Sequence, residues 1–139
     1  MRDDLDISMN LKPVGRVNST YKTKAESPHQ GRFSDKISKI TIFEEYADAL
    51  MGIGDKKHFI VLYWQDKAER DKLQVVPHGK TEKRGVFTTR APARPNPIAI
   101  CLVELLELEG RTLTVKWLDA LDGSPVLDIK PYSADLDCL

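Results

Sequence analysis

IAICLVELLELEGRTLTVKWL, Ile98 to Leu118, admits two readings, and the choice between them sets the fold class. Leu102, Leu105, Leu106 and Glu109 fall at helical spacing. Against a helix, Ile98, Ile100, Leu102 and Glu104 alternate at period two, EGR reads as a tight turn, and TLTVKWL alternates cleanly beyond it. A β-hairpin is the better reading.

Outward from the hairpin the same period recurs. LKPVGRVNS suits an edge strand, because Pro13 cannot donate to a ladder. TYKTKAESPHQGRF is rich in turn residues and reads as a long loop, of a length that compact domains keep for function. KISKITIF alternates as a strand. EEYADALMGIG places Tyr46, Ala49, Leu50 and Ile53 at helical spacing, with Gly52 and Gly54 to end the helix. HFIVLYW, His58 to Trp64, is β-branched and aromatic on both faces, as the middle of a sheet requires. LQVVP and RGVFTTR read as further strands, and PVLDIKPY closes the series after the turn signal DGSP. Strands therefore number about seven against one or two short helices, which predicts a mainly β, single-domain, barrel-like curled sheet. Residues 1–10 are expected to form a polar arm and residues 11–139 the domain.

A chain of 139 residues suits one domain with a real core. Its 21 basic and 21 acidic residues cancel, so no global field draws it to nucleic acid or membrane and any basic surface is local. Two cysteines, Cys101 and Cys138, make no disulfide framework and suit a reducing compartment. The longest apolar run, Ile98 to Leu106, is broken by Glu104 and falls far short of the ~20 residues that span a bilayer. With no leader-like opening, the expectation is a soluble cytoplasmic protein that does not engage the membrane. His29, His58, His78 and the cysteines show no metal-ligand spacing, so no metal is expected.

Two stretches carry chemistry. From Gly79 to Asn96, Lys80, Lys83, Arg84, Arg90 and Arg94 are opposed only by Glu82. Guanidinium forks in such a loop suit phosphates or carboxylates. Within it, Pro92, Pro95 and Pro97 fix φ and keep the preceding residues out of the α region, which pre-orders the display of Arg94 and Asn96. A rigid surface turn with solubilising arginines is the competing reading. The second stretch, LDALDGSPVLDIKPY, puts Asp128, Lys130 and Tyr132 on one strand face by two-residue alternation. That row suits acid and base work or a polar ligand, and equally a solvated outer row.

Taken together, GVFTTRAPARPNPIAI and LDALDGSPVLDIKPY resemble the tRNA methyltransferase O family, also described as TsaA-like, whose pattern reads approximately GVFATRSPxRPNPIGLS and then LDLLDGTPVLDIKPY. PVGRVNSTY, SPHQG and HFIVLYW are similar to its first strand, its P-x-Q loop and its central strand, so the resemblance runs from Pro13 to Asp135. It implies a β-barrel methyltransferase that works as a homodimer. The implied donor is S-adenosyl-L-methionine. The implied acceptor is the N6 nitrogen of the threonylcarbamoylated adenosine beside the anticodon in tRNA. Residue by residue, it implies donor contacts at Pro28, His29, Gln30 and Gly31, at Asp66 and Lys67, at Arg90, at Ile100 and Cys101, and at Asp122, Gly123, Ser124 and Pro125. Arg94, Asn96 and Lys130 are then expected to face the acceptor, with Asp128 or Tyr132 as the base if the N6 proton must leave.

The chain departs from the pattern at Ala99 and Cys101, where the family usually has Gly and Ser, and at Gln65 and Asp66, where it often has Phe and His. Longer bacterial members carry a further C-terminal domain. Two other readings therefore stand beside tRNA methylation: a non-catalytic nucleotide- or RNA-binding module of the same fold, and a methyltransferase of a small metabolite or protein.

Overall fold

The computed structural model describes residues 7–23, 25–26 and 35–139. Six strands, numbered along the chain, close a barrel in the order β1 (Gly15–Asn18), β2 (Ile37–Ile42), β7 (Thr112–Lys116), β6 (Ile98–Glu109), β3 (His58–Trp64), β8 (Pro125–Pro131). Every neighbouring pair is antiparallel. β4 (Gln74–Val75) and β5 (Arg84–Gly85) form a separate two-stranded ribbon. No helix among the described residues is long and apolar enough to cross a membrane.

The expected hairpin forms between β6 and β7. Glu109 pairs with Thr112, leaving Gly110 and Arg111 as the loop, and Gly110 takes the positive φ of +60° that a primed turn needs at its first position. β6 serves two neighbours: Ile98 to Glu104 pair with β3, and Glu104 to Glu109 pair with β7 past a bulge between Leu105 and Glu107. Ala99, Cys101 and Val103 point inward while Ile98, Ile100 and Leu102 point outward. Apolar side chains on both faces are what let this segment also satisfy a helical template.

The barrel interior is filled rather than open, by Val17, Ile40, Val61, Val103, Leu113 and Val126 among others. At Gly15 a Cβ would lie 2.5 Å from the Thr41 carbonyl oxygen, so glycine is what lets β1 and β2 approach so closely.

Four local expectations need correction. The first strand is not an edge: β1 pairs with β2 on one side and β8 on the other, and Pro13 precedes it, so its missing N–H never meets a ladder. The predicted helix is two 3₁₀ segments, Glu44–Leu50 and Ile53–Asp55, parted by Gly52 at φ +79°. Their Tyr46, Leu50 and Ile53 still pack against the core, from the barrel end where Val14 and Ile42 lie. LQVVP contributes only two strand residues. RGVFTTR is a strand for two residues and then a 3₁₀ turn, Val86–Thr88.

Trp117 has φ +80° where the chain leaves β7, a conformation that bulky residues rarely adopt. Its indole stacks on His58, with ring centroids 5.7 Å apart and planes 11° from parallel, and Lys116 Nζ lies 5.2 Å from the ring centroid. Beyond the kink, Leu118 and Ala120 return to the core. Trp117→Gly and Trp117→Ala both remove the stack, but only alanine keeps the left-handed strain. The glycine variant should be about 1 kcal/mol the more stable, and equal chemical-denaturation midpoints would place the strain elsewhere.

Candidate active site at one end of the barrel

β3, β1 and β7 finish at one end of the barrel, and β6 and β8 start there. Four connections therefore meet: residues 19–23 after β1, 65–73 after β3, 117–124 before β8, and the proline-rich stretch 89–97 before β6. Backbone contacts lock them together. Gln65 N–H donates to the Pro97 carbonyl at 2.8 Å, Arg94 N–H to Glu69 at 3.1 Å, and Asp122 N–H to Tyr21 at 2.7 Å.

Three residues of the DGSP turn have a structural reason. Gly123 takes φ +84° and donates its N–H to Val17, while the buried Ser124 hydroxyl donates to the Leu121 carbonyl at 2.6 Å. Asp122 accepts from the Ser19 N–H at 2.9 Å and from Lys22 Nζ at 2.7 Å. The Lys22 hydrogen bond first, and the Ser19 N–H next, hold the Asp122 carboxyl below the ordinary carboxylate range, with Lys67 adding a longer-range attraction. Lys67 and Asp122, expected to share a site, are thus within electrostatic reach of each other.

Beneath the turn, Tyr63 points into the barrel and its hydroxyl donates to Asp119 at 2.7 Å. Cys101 lies beside the same carboxylate, and its thiol donates to the Trp117 carbonyl at 3.2 Å. Burial first, and the Asp119 charge second, push both Tyr63 and Cys101 well above their usual ranges. Both are neutral near pH 7, so Cys101 is a packing group with a weak donor rather than a nucleophile. The signal for this trio lay in the alternation Phe59, Val61, Tyr63, since an inward phenol needs a polar partner.

The basic loop divides its arginines between two tasks. Arg94 turns inward: Nη1 donates to the Thr89 and Ala91 carbonyls at 3.0 and 2.9 Å, and Nη2 to Val86 at 2.8 Å. The expected acceptor-facing arginine is, within this chain, the staple of its own loop. Arg90 is exposed and has no partner among the described residues. Arg70, which sequence reasoning missed, donates to the Pro95 carbonyl at 3.0 Å, approaches the Asn96 amide oxygen at 3.4 Å and lies 5.0 Å over the Trp64 ring.

The remaining expected residues lie elsewhere. Ile100 is adjacent to Cys101 and therefore on the opposite face, half exposed on the outer wall across from Leu62. Asp128 and Lys130 are also on that wall, joined by a 3.0 Å ion pair, opposite Leu62 and Ile60. Tyr132 follows β8 with its N–H on the His58 carbonyl. Pro28, His29, Gln30 and Gly31 lie outside the described residues. No group of three or more His, Cys, Asp or Glu among the described residues could hold a metal ion. The expected site residues thus form two sets, one at the barrel end and one on the outer wall.

Comparison with known proteins matches this chain, over residues 16–138, to the model of the tRNA-methyltransferase O N-terminal domain. An Archaeoglobus fulgidus protein named S-adenosyl-L-methionine-binding protein is 63% identical over 131 residues, 94% of each chain. A mouse protein named tRNA (adenine(37)-N6)-methyltransferase is 37% identical over 136 residues, 91% of this chain and 31% of the mouse protein. The crystal structure of TrmO from Pseudomonas aeruginosa superposes with a TM-score of 0.81 at 29% identity, covering 96% of this chain. This chain spans 60% of that solved chain.

Two outcomes follow from the site's geometry. Arg94→Ala should cost about 1–3 kcal/mol, because three carbonyls lose a charged donor. Arg94→Lys should recover little of it, since one ammonium cannot span them; denaturant unfolding of both variants measures this. Asp122 has a depressed folded pKa, so its clip on residues 19–22 stays intact above the ordinary carboxylate range and is lost as pH falls through the lowered value. Protection of the Ser19 amide, relative to its intrinsic exchange rate, should fall only in that acid window, and Asp122→Asn should abolish that fall.

Proposed function

This chain belongs to the tRNA-methyltransferase O N-terminal domain family, and from that premise we propose that it is an S-adenosyl-L-methionine-dependent methyltransferase acting on tRNA in the cytoplasm. Its acceptor is the N6 nitrogen of the threonylcarbamoylated adenosine beside the anticodon. The observation that carries this reading is the convergence of Lys67, Asp122 and the stapled Arg90 loop at one barrel end above the Tyr63, Cys101 and Asp119 trio.

The residues there suit the donor's chemistry. Arg90 and Lys67 are exposed cations that fit its carboxylate, while Asp66, Asp122 and the backbone of Gly123 to Pro125 fit its amine and ribose hydroxyls. The neutral Cys101 thiol adds bulk without competing as a nucleophile. When bound, S-adenosyl-L-methionine supplies the methyl group from its sulfonium. The protein's part is position and electrostatics, since the transfer needs an in-line approach and no covalent help.

The outer-wall set serves the acceptor. Asp128 is the base that takes the N6 proton, Lys130 orients the acceptor together with Asn96 from the barrel-end loop, and Tyr132 completes the row. Asp128 lies on the wall rather than above the Tyr63 trio, and that wall is apolar around it, with Ile60 and Leu62 half-buried and Ile98 and Ile100 exposed. Such a patch fits a homodimer in which one subunit's wall meets its partner's barrel end.

The test is a single-turnover assay with labelled donor and total tRNA from cells lacking the protein. Label should appear in the modified adenosine next to the anticodon. Asp128→Asn should lower the rate at least about 100-fold, with donor affinity unchanged. Donor binding without transfer would favour a binding module, and label in a small molecule or protein would move the acceptor out of tRNA.

A further inference from the structure

The sequence contains an aromatic residue that neither the donor end nor the outer wall uses. Phe87 is 87% exposed, an unusual state for a phenylalanine in a stable turn. The turn that carries it, Val86–Thr88, is held from every side. Val86 is buried, its N–H donates to the Leu73 carbonyl at 2.9 Å, and its own carbonyl accepts from Arg94 Nη2 at 2.8 Å. The Thr88 hydroxyl donates to the Gly85 carbonyl at 2.8 Å and the Thr89 hydroxyl to Val86 at 3.1 Å. A ring left in water by such a scaffold is displayed, not stranded.

Its surroundings state what it is displayed to. Arg84 and Arg90 stand three residues to either side, and Lys80 and Lys83 lie in the connection from β4 to β5, all exposed. Glu82 is the one acidic residue between Gly79 and Asn96. Leu73, whose carbonyl accepts the Val86 N–H, is exposed too and widens the apolar area. A second copy of the chain meeting this turn across a two-fold axis would set cations against cations. A polyanion with an accessible flat ring matches both features at once.

We infer that Phe87 is a stacking platform for an unpaired nucleobase of the RNA substrate, with Arg84, Lys83 and Lys80 on the flanking phosphates. The inference rests on the tRNA reading and deepens it, by assigning the Val86–Thr88 turn to the unpaired loop rather than to the paired stem. Base stacking on an aromatic ring tolerates any base, so the contact grips the loop without choosing the nucleotide to be modified.

The experiment uses the full chain with a short RNA stem-loop carrying 2-aminopurine in the loop, and the same strand annealed into a continuous duplex. The wild-type chain should bind the stem-loop and quench the 2-aminopurine. Phe87→Ala should weaken stem-loop binding about tenfold and abolish the quench, while duplex binding and donor affinity stay unchanged. Phe87→Trp should restore both readouts, which separates stacking from a folding defect. Lys83→Ala should weaken both RNAs alike and reduce the salt dependence by about one counterion.

Three results would overturn the inference. One is wild-type affinity in Phe87→Ala on a chain that methylates tRNA, which leaves the tRNA reading standing. Another is a change of oligomeric state in Phe87→Ala on sedimentation, which makes the turn a subunit contact. The last is a wild-type chain that binds the donor and no RNA, which removes the tRNA reading along with the platform.

Discussion

The seam between β1 and β8 is the constraint on which the rest of the molecule hangs. Only Gly15 with Val126 and Arg16 with Pro125 pair there, yet that short ladder turns a curled sheet into a closed barrel. The seam then continues as single hydrogen bonds, Val17 N–H to Ser124 and Gly123 N–H to Val17, and ends on Asp122 with Ser19 and Lys22. Closure and site formation are one event: the DGSP turn is shaped by docking on the tail of β1.

The same economy governs the arginine and proline loop. Prolines limit its backbone, but they do not by themselves decide where it sits. Arg94 folds the loop on itself by gathering three of its own carbonyls, and the Arg94 N–H on Glu69 together with Arg70 on Pro95 and Asn96 ties it to the loop after β3. The remaining cations, Arg90 above all, are exposed, their side chains without a partner among the described residues. An arginine in a basic motif can be scaffold or contact, and hydrogen-bond partners separate the two roles where charge alone does not.

Alternation along strands explains why neighbouring motif residues part company. Ile100 and Cys101 are adjacent in the chain and face opposite sides of the wall, one toward solvent and one toward Asp119. Asp128 and Asp122 belong to one continuous motif, yet the first is on the outer wall and the second in the turn. A linear motif is thus divided between two surfaces.

The sequence by itself determined the strand period, the β6–β7 hairpin, the mainly β barrel-like sheet and the two motif stretches, because side-chain alternation and glycine-bearing turns are local properties. It did not separate an edge strand from a closed seam at Gly15–Asn18, or an α-helix from 3₁₀ turns at Glu44–Leu50. Closure depends on β8, more than a hundred residues further along the chain, and 3₁₀ geometry on how that segment packs against the core. Tertiary structure alone turned Arg94 inward, lifted Tyr63 and Cys101 out of their usual titration ranges and left Phe87 in water. Each of those depends on which groups distant segments bring within a few ångströms, and one-dimensional spacing carries no distance of that kind.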